Sequence, residues 1–137
     1  MLSYIKVIDY HLYVVENNNQ TVYDQPFTKY MNQYMKDYLL TLQAREKVTK
    51  QVFKFKNKVP IYVHEDLMLL CVQSYRLQQA FYINYFQIQS WARDKKSVII
   101  VFKDKYCIRL SSYHSFIQQV KKAGIMIEHL QKIDVLR

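Results

Sequence analysis

A single glycine and two prolines stand in a chain of 137 residues, and this scarcity already argues against one class of function. Phosphate-cradling loops of the Walker and Rossmann kinds need several glycines, because backbone N–H groups must approach the anion closely. Gly124 alone cannot build such a loop, so nucleotide-dependent catalysis is not expected. Long apolar runs are missing as well. The start, MLSYIKVIDY, has no basic stretch leading into an apolar one, so neither a membrane span nor a secretory leader is expected. Cysteine is scarce: Cys71 and Cys107 lie 36 positions apart in apolar segments, without metal or redox spacing, and read as buried free thiols of a reducing cytoplasm. The four histidines, His11, His64, His114 and His129, are scattered with no ligand pair. His64-Glu65-Asp66 is the nearest thing to a metal or catalytic cluster, and a solvated turn explains it better. Ser111, Ser112 and Ser115 lack a nucleophile elbow. No catalytic residue, metal or cofactor is therefore expected, and the chain does not read as an enzyme.

What is present is apolar, aromatic and basic. Half of the residues are apolar, with 13 Tyr and 7 Phe, which is a folded composition of the size of one domain, here 1–137. The net charge is +9. Between Arg45 and Lys122, 15 lysines or arginines stand against 5 acids, and elsewhere 5 stand against 6, so the whole excess lies in the middle and later chain. Such a field favours a polyanion, nucleic acid first, with an acidic membrane surface or acidic protein as rivals and plain solubility as the alternative.

Residues 4 to 15, rich in β-branched and aromatic types, predict a strand pair broken near Asp9 to His11. The polar run 16–20 reads as a loop, and Asp24-Gln25-Pro26 as a turn and helix start. From Phe27 the period becomes helical: Tyr30, Met31, Tyr34, Met35, Tyr38, Leu39 and Leu42 make one stripe, predicting a helix over about 28 to 44. Val52 to Lys56 alternates like a strand, Phe53 and Phe55 on one face and Lys54 and Lys56 on the other; a phosphate-tracking surface and a lysine-protected edge strand fit equally. Leu67 to Val72 predicts a buried strand, and Phe81 to Ile88 an aromatic one. Val98 to Phe102 and Tyr106 to Leu110 predict a hairpin around Lys103-Asp104-Lys105. In LSSYHSFIQQVKKAG, Ser112 is the expected N-cap, Tyr113, Phe116, Ile117, Val120 and Ala123 the apolar stripe, and Gly124 the helix end, followed by a second short helix from Ile125 to Leu136.

Arg45, Lys47, Lys50, Lys54, Lys56 and Lys58 form the densest basic segment, with Glu46 its one acid. They are the first candidates for DNA contact. Arg76, directly after an apolar strand, suits a phosphate or a narrow A·T minor groove, and pairing with Glu65 or Asp66 suits it equally. Arg93, Lys95 and Lys96 form a second basic loop, either a phosphate contact or a solvated turn.

The order of these segments resembles the competence transcription factor family, ComK. The resemblance is carried by Lys58, Pro60, Ile61 and Val63; by Ser74 and Arg76; by Phe81, where the family often has Trp; and by Ser112, Tyr113, Ser115, Phe116, Gln119 and Val120. Arg45 and Thr49 fall in register with a further family segment. Glycines common in the family before Arg45 and in the hairpin turn are replaced by Gln43-Ala44 and Lys103-Asp104-Lys105. The resemblance implies a DNA-binding transcriptional activator that acts as dimers on A·T-rich half-sites through the minor groove, without any helix-turn-helix.

The fold expected is α+β: an antiparallel sheet of about five to six strands packed against one long helix and C-terminal helices. The function expected is transcription regulation by binding A·T-rich double-stranded DNA, in a bacterial cytoplasm at the nucleoid. A homodimer or higher oligomer is expected through the apolar faces of the terminal helices, and a regulatory adaptor protein is a possible further partner. The alternative is a protein-interaction module or heteromeric modulator of the same family that does not bind DNA.

Overall fold

The computed structural model describes residues 1–74 and 79–136; Arg76 lies outside them. Three strands open the chain, β1 (Leu2–Ile8), β2 (His11–Glu16) and β3 (Asn19–Tyr23), followed by α1 (Phe27–Met35), a 3₁₀ turn (Lys36–Tyr38) and α2 (Leu42–Phe53). Then come β4 (Ile61–His64), β5 (Leu67–Ser74), β6 (Gln79–Asn84), β7 (Ile88–Asp94), β8 (Ser97–Phe102), β9 (Cys107–Leu110) and a single long α3 (Tyr113–Leu136). The strands form an antiparallel six-stranded sheet, ordered β3-β2-β1-β6-β5-β4, and a separate three-stranded sheet, β7-β8-β9. The class is the expected α+β; the second sheet was not foreseen.

β5 shows why an unbroken apolar run was needed. Its side chains alternate between two cores: Leu67 and Leu69 join Ile5, Leu12, Met31, Met35 and Leu42 on one face, while Met68, Leu70 and Val72 join Ile100, Phe102, Phe116 and Met126 on the other. A strand buried on both faces has no polar side to show in its sequence. α1 covers the first face. α3 and the three-stranded sheet cover the second. α2 starts at the first core with Leu42 and ends with Phe53 packed against the second, wrapping the edge made by β4.

A buried amide ties the sheet ends together. Asn84 Nδ2 donates to the carbonyls of Leu2 at 2.9 Å and Asp66 at 3.0 Å, and its Oδ1 accepts from Met68 and Phe86 N–H groups at 3.2 Å. Every hydrogen-bonding position of that side chain is used, as burial requires.

Several sequence expectations are corrected. The helix over 28 to 44 is two segments, because Leu39 takes the left-handed conformation (φ 61°) and points into solvent. Thr41 then starts α2 as its N-cap, accepting from Ala44 N–H at 3.2 Å, while Asn32 Oδ1 takes the Leu42 N–H at 2.7 Å. Val52 to Lys56 is not a strand: α2 continues to Phe53 and Lys54 ends it with φ 57°. Phe53 and Phe55 still face one core, stacked with centroids 5.4 Å apart. Within the polar run 16–20, Asn17 and Asn18 form a hairpin turn with positive φ, and β3 begins at Asn19. Cys107 is exposed, since it sits on the outward side of the edge strand β9, whereas Cys71 is buried. The β8–β9 turn does without glycine because Lys105 supplies the positive φ (74°) and Asp104 Oδ1 accepts from Tyr106 N–H at 3.0 Å.

Gly124 does not end a helix. α3 runs through it, and a Cβ added there would meet nothing within 4 Å. Gly124→Ala should therefore stabilise the protein by about 0.8–1 kcal/mol through helix propensity alone. A rise in the urea midpoint with an unchanged slope would verify it; a fall would show that the position has a constraint beyond space.

Candidate nucleic-acid interface

The exposed side of α2 is a lysine stripe. Leu42 and Thr49 turn inward, which leaves Lys47, Lys50 and Lys54, spaced three and four apart, on the outer side. The loop after α2 continues it with exposed Lys56 and Lys58. Among the described residues no carboxylate forms an ion pair with Lys47, Lys50, Lys54 or Lys56; the ion pairs are His11–Asp24, Arg109–Asp94 and Lys132–Glu128. Uncompensated lysines on one face are what a phosphate track requires.

Arg45 is set apart from this stripe. It is half-buried, its guanidinium lies 5.7 Å from the Tyr62 ring centroid, and its buried Nε has no hydrogen-bond partner among the described residues. Thr49, one helical turn on, donates its hydroxyl to the Arg45 carbonyl at 2.7 Å. The Arg45/Thr49 pair thus belongs to the seam between α2 and β4 rather than to the outer face.

The start of α3 joins the stripe to the second basic loop. Ser112 caps the helix, its Oγ accepting from Ser115 N–H at 3.1 Å. On one side the Tyr113 N–H donates to the Lys96 carbonyl at 2.7 Å, and the Arg93 guanidinium lies 4.6 Å from the Tyr113 ring centroid. Arg93 Nε also donates to the Lys95 carbonyl at 2.8 Å, which closes the β7–β8 turn, where Lys95 has φ 57°. Lys95 and Lys96 are exposed. Asp94 pairs with Arg109 from β9, so this loop carries less uncompensated charge than the α2 stripe.

On its other side α3 closes a pocket of about 760 Å³ with α2 and the loop, lined by Lys50, Lys58, Lys122, His114, Ser115 and Gln118. Gln119 builds the floor: its Oε1 accepts the Cys71 N–H at 3.2 Å, and its Nε2 donates to the Lys58 carbonyl at 3.1 Å. β4 begins at Ile61, opposite Leu69, so past that point no described strand pairs with β5 on its outer side and a side chain takes over the ladder. Lys122 Nζ donates to the same Lys58 carbonyl at 2.7 Å and sits 5.4 Å from the Phe55 ring centroid. Burial, and secondarily the charge of Lys50, hold the Lys122 ammonium below the usual lysine value. Lys58 Nζ lies 3.6 Å from Cys71 Sγ, yet burial pushes that thiol up, which disfavours thiolate chemistry.

The lysine stripe and the Arg93 loop, distant in sequence, thus flank the first turns of α3. Lys122, Gln118 and His114 escaped sequence reasoning; the only signal was Lys121-Lys122, which ordinary helix-ending chemistry accounted for equally well. His64-Glu65-Asp66 is the β4–β5 turn, with His64 against Tyr38 at 4.8 Å between centroids. Among the described residues no three of His, Cys, Asp and Glu gather as a metal site, and no helix is long and apolar enough to cross a membrane.

A family model described as ComK protein matches residues 3–134, nearly the whole length. No curated protein and no solved structure matches the chain significantly.

Proposed function

The chain belongs to the ComK family of competence transcription regulators, a non-enzymatic family, and on that premise we propose that it binds A·T-rich double-stranded DNA. The observation that carries this reading is the stripe of Lys47, Lys50 and Lys54, continued by Lys56 and Lys58, without carboxylate ion pairs at Lys47, Lys50, Lys54 or Lys56 among the described residues. Phosphates are neutralised along the stripe, releasing counterions, and this term supplies most of the affinity. Arg93, Lys95 and Lys96 contact the backbone beyond the start of α3, and Arg76 or Arg93 enters a narrow A·T minor groove, where the negative potential is deepest. Arg45 supports the stripe from behind through its packing on Tyr62.

Paired half-sites call for paired chains. Val48 and Val52 on α2 and Ile125 and Ile133 on α3 are large apolar side chains left exposed, and they fit a contact between two copies. DNA binding would put the protein at the nucleoid of a bacterial cytoplasm, as part of the same proposal.

Mobility-shift titrations of A·T-rich and G·C-rich duplexes at two salt concentrations test the reading. A·T-rich duplex should bind more tightly, and both affinities should fall steeply with salt. No shift with either duplex would sink DNA binding, and equal affinities would sink the minor-groove preference.

A further inference from the structure

The pocket between α2, the following loop and the first turns of α3 goes beyond a phosphate track. Three lysines from three elements, Lys50, Lys58 and Lys122, converge on it, and among the described residues no acidic one lines it, although the charge of Glu46 reaches its Cys71. Like charges at such a site repel, so bringing them together costs free energy that an anion recovers on binding. The repulsion is visible at Lys122, where Lys50 adds to the effect of burial in disfavouring the charged ammonium. Ser115 and Gln118, one turn apart on α3, add neutral donors on the same side, with His114 beside them. Gln119 holds the arrangement rigid by joining Cys71 to the Lys58 carbonyl. A volume of about 760 Å³ lies within the range of small-ligand sites.

We propose that this pocket is a phosphoryl-binding site, in which Lys50, Lys58 and Lys122 supply the charge and Ser115 and Gln118 the orienting hydrogen bonds. Lysine suits this task as a compact point charge with rotatable donors. A phosphoryl group is presented by the DNA backbone or by a soluble phosphorylated compound; the first source rests on the DNA-binding reading above, the second does not.

The experiment is calorimetric titration of the full chain with inorganic pyrophosphate, and separately with a short A·T-rich duplex, for the native protein, Lys122→Gln and Lys50→Gln. Circular dichroism of each variant checks folding, and Lys50, exposed on α2, serves if Lys122→Gln fails to fold. Saturable pyrophosphate binding, weakened about tenfold or more in the variants, assigns a soluble ligand. Absent pyrophosphate binding, with a duplex salt slope reduced by about 1 in Lys122→Gln, whose lysine lies outside the α2 stripe, assigns a backbone phosphate. Variants that match the native protein in both titrations overturn the site. Should the duplex fail to bind any protein while pyrophosphate still binds, the DNA reading falls and the pocket stands.

Discussion

Phe116→Ala should cost about 3–5 kcal/mol of folding stability, a large part of the roughly 5–15 kcal/mol that a domain possesses. The side chain is fully buried on α3 and shares one core with Met68, Leu70 and Val72 of β5 and with Ile100 and Phe102 of β8. Its ring also meets Trp91 edge-on at 5.4 Å between centroids. Among the described residues the three-stranded sheet shares no strand pairing with the six-stranded one, so beyond the chain connection it is attached by side-chain packing, in which Phe116 takes part. Truncation removes the transfer free energy of the ring and leaves a cavity that strands pinned by their own ladders cannot fill. Phe116→Leu, which keeps most of the volume, should cost far less. Urea unfolding followed at Trp91, the one tryptophan, reads the effect directly. A lower midpoint with unchanged slope is expected. A loss below about 1 kcal/mol would mean that α3 does not hold the second sheet through this residue.

The same residue shows where the sequence was informative. Phe116 sits in an apolar stripe with Ser112 as its cap, and both features are local, so a short window predicts them. β5 and the β8–β9 hairpin were legible for the same reason. Failures came where the deciding contact was distant. Leu39 and Leu42 keep helical spacing, but the chain breaks there because Asn32, ten positions before Leu42, offers its Oδ1 to the Leu42 N–H. Phe53 and Phe55 alternate with lysines as a strand would, yet the left-handed Lys54 lets them stack from a helix end. Gly124 carries a stop signal that α3 overrides, since the following turn buries Met126 in the core and places Ile127 against it. The basic stripe was legible as charge, although Arg45 was assigned to it and lies inward. The pocket was not legible at all: Lys58 and Lys122 are 64 positions apart and meet only because Gln119 finishes a strand ladder that β4 leaves open.

Reversing two charges of the stripe, Lys47→Glu with Lys54→Glu, should weaken duplex binding by about 100-fold at moderate salt and reduce the salt slope by about 2. Both side chains are exposed, two turns apart on one side of α2, and neither lines the α3 pocket, so the change tests the track and not the pocket. Lys54 ends its helix in the left-handed region, where Glu meets the same backbone strain as Lys, so stability should move little. The control is Lys29→Glu with Lys36→Glu, two exposed positions on the α1 segment, which covers the opposite face of the six-stranded sheet. The net charge falls equally in both double variants. A partner held by the protein's overall field would feel them alike, because such a field follows the net charge rather than the position of any one lysine. A duplex lying along α2 would feel the first much more, since each direct lysine contact displaces a counterion and the distant pair displaces none. Equal losses in the two variants would replace the track by a diffuse field, and an unchanged affinity in the first would move the DNA to another face. The expected difference follows from geometry: the chain concentrates its excess charge between Arg45 and Lys122, and the fold turns the part of it on α2 outward without carboxylate partners among the described residues.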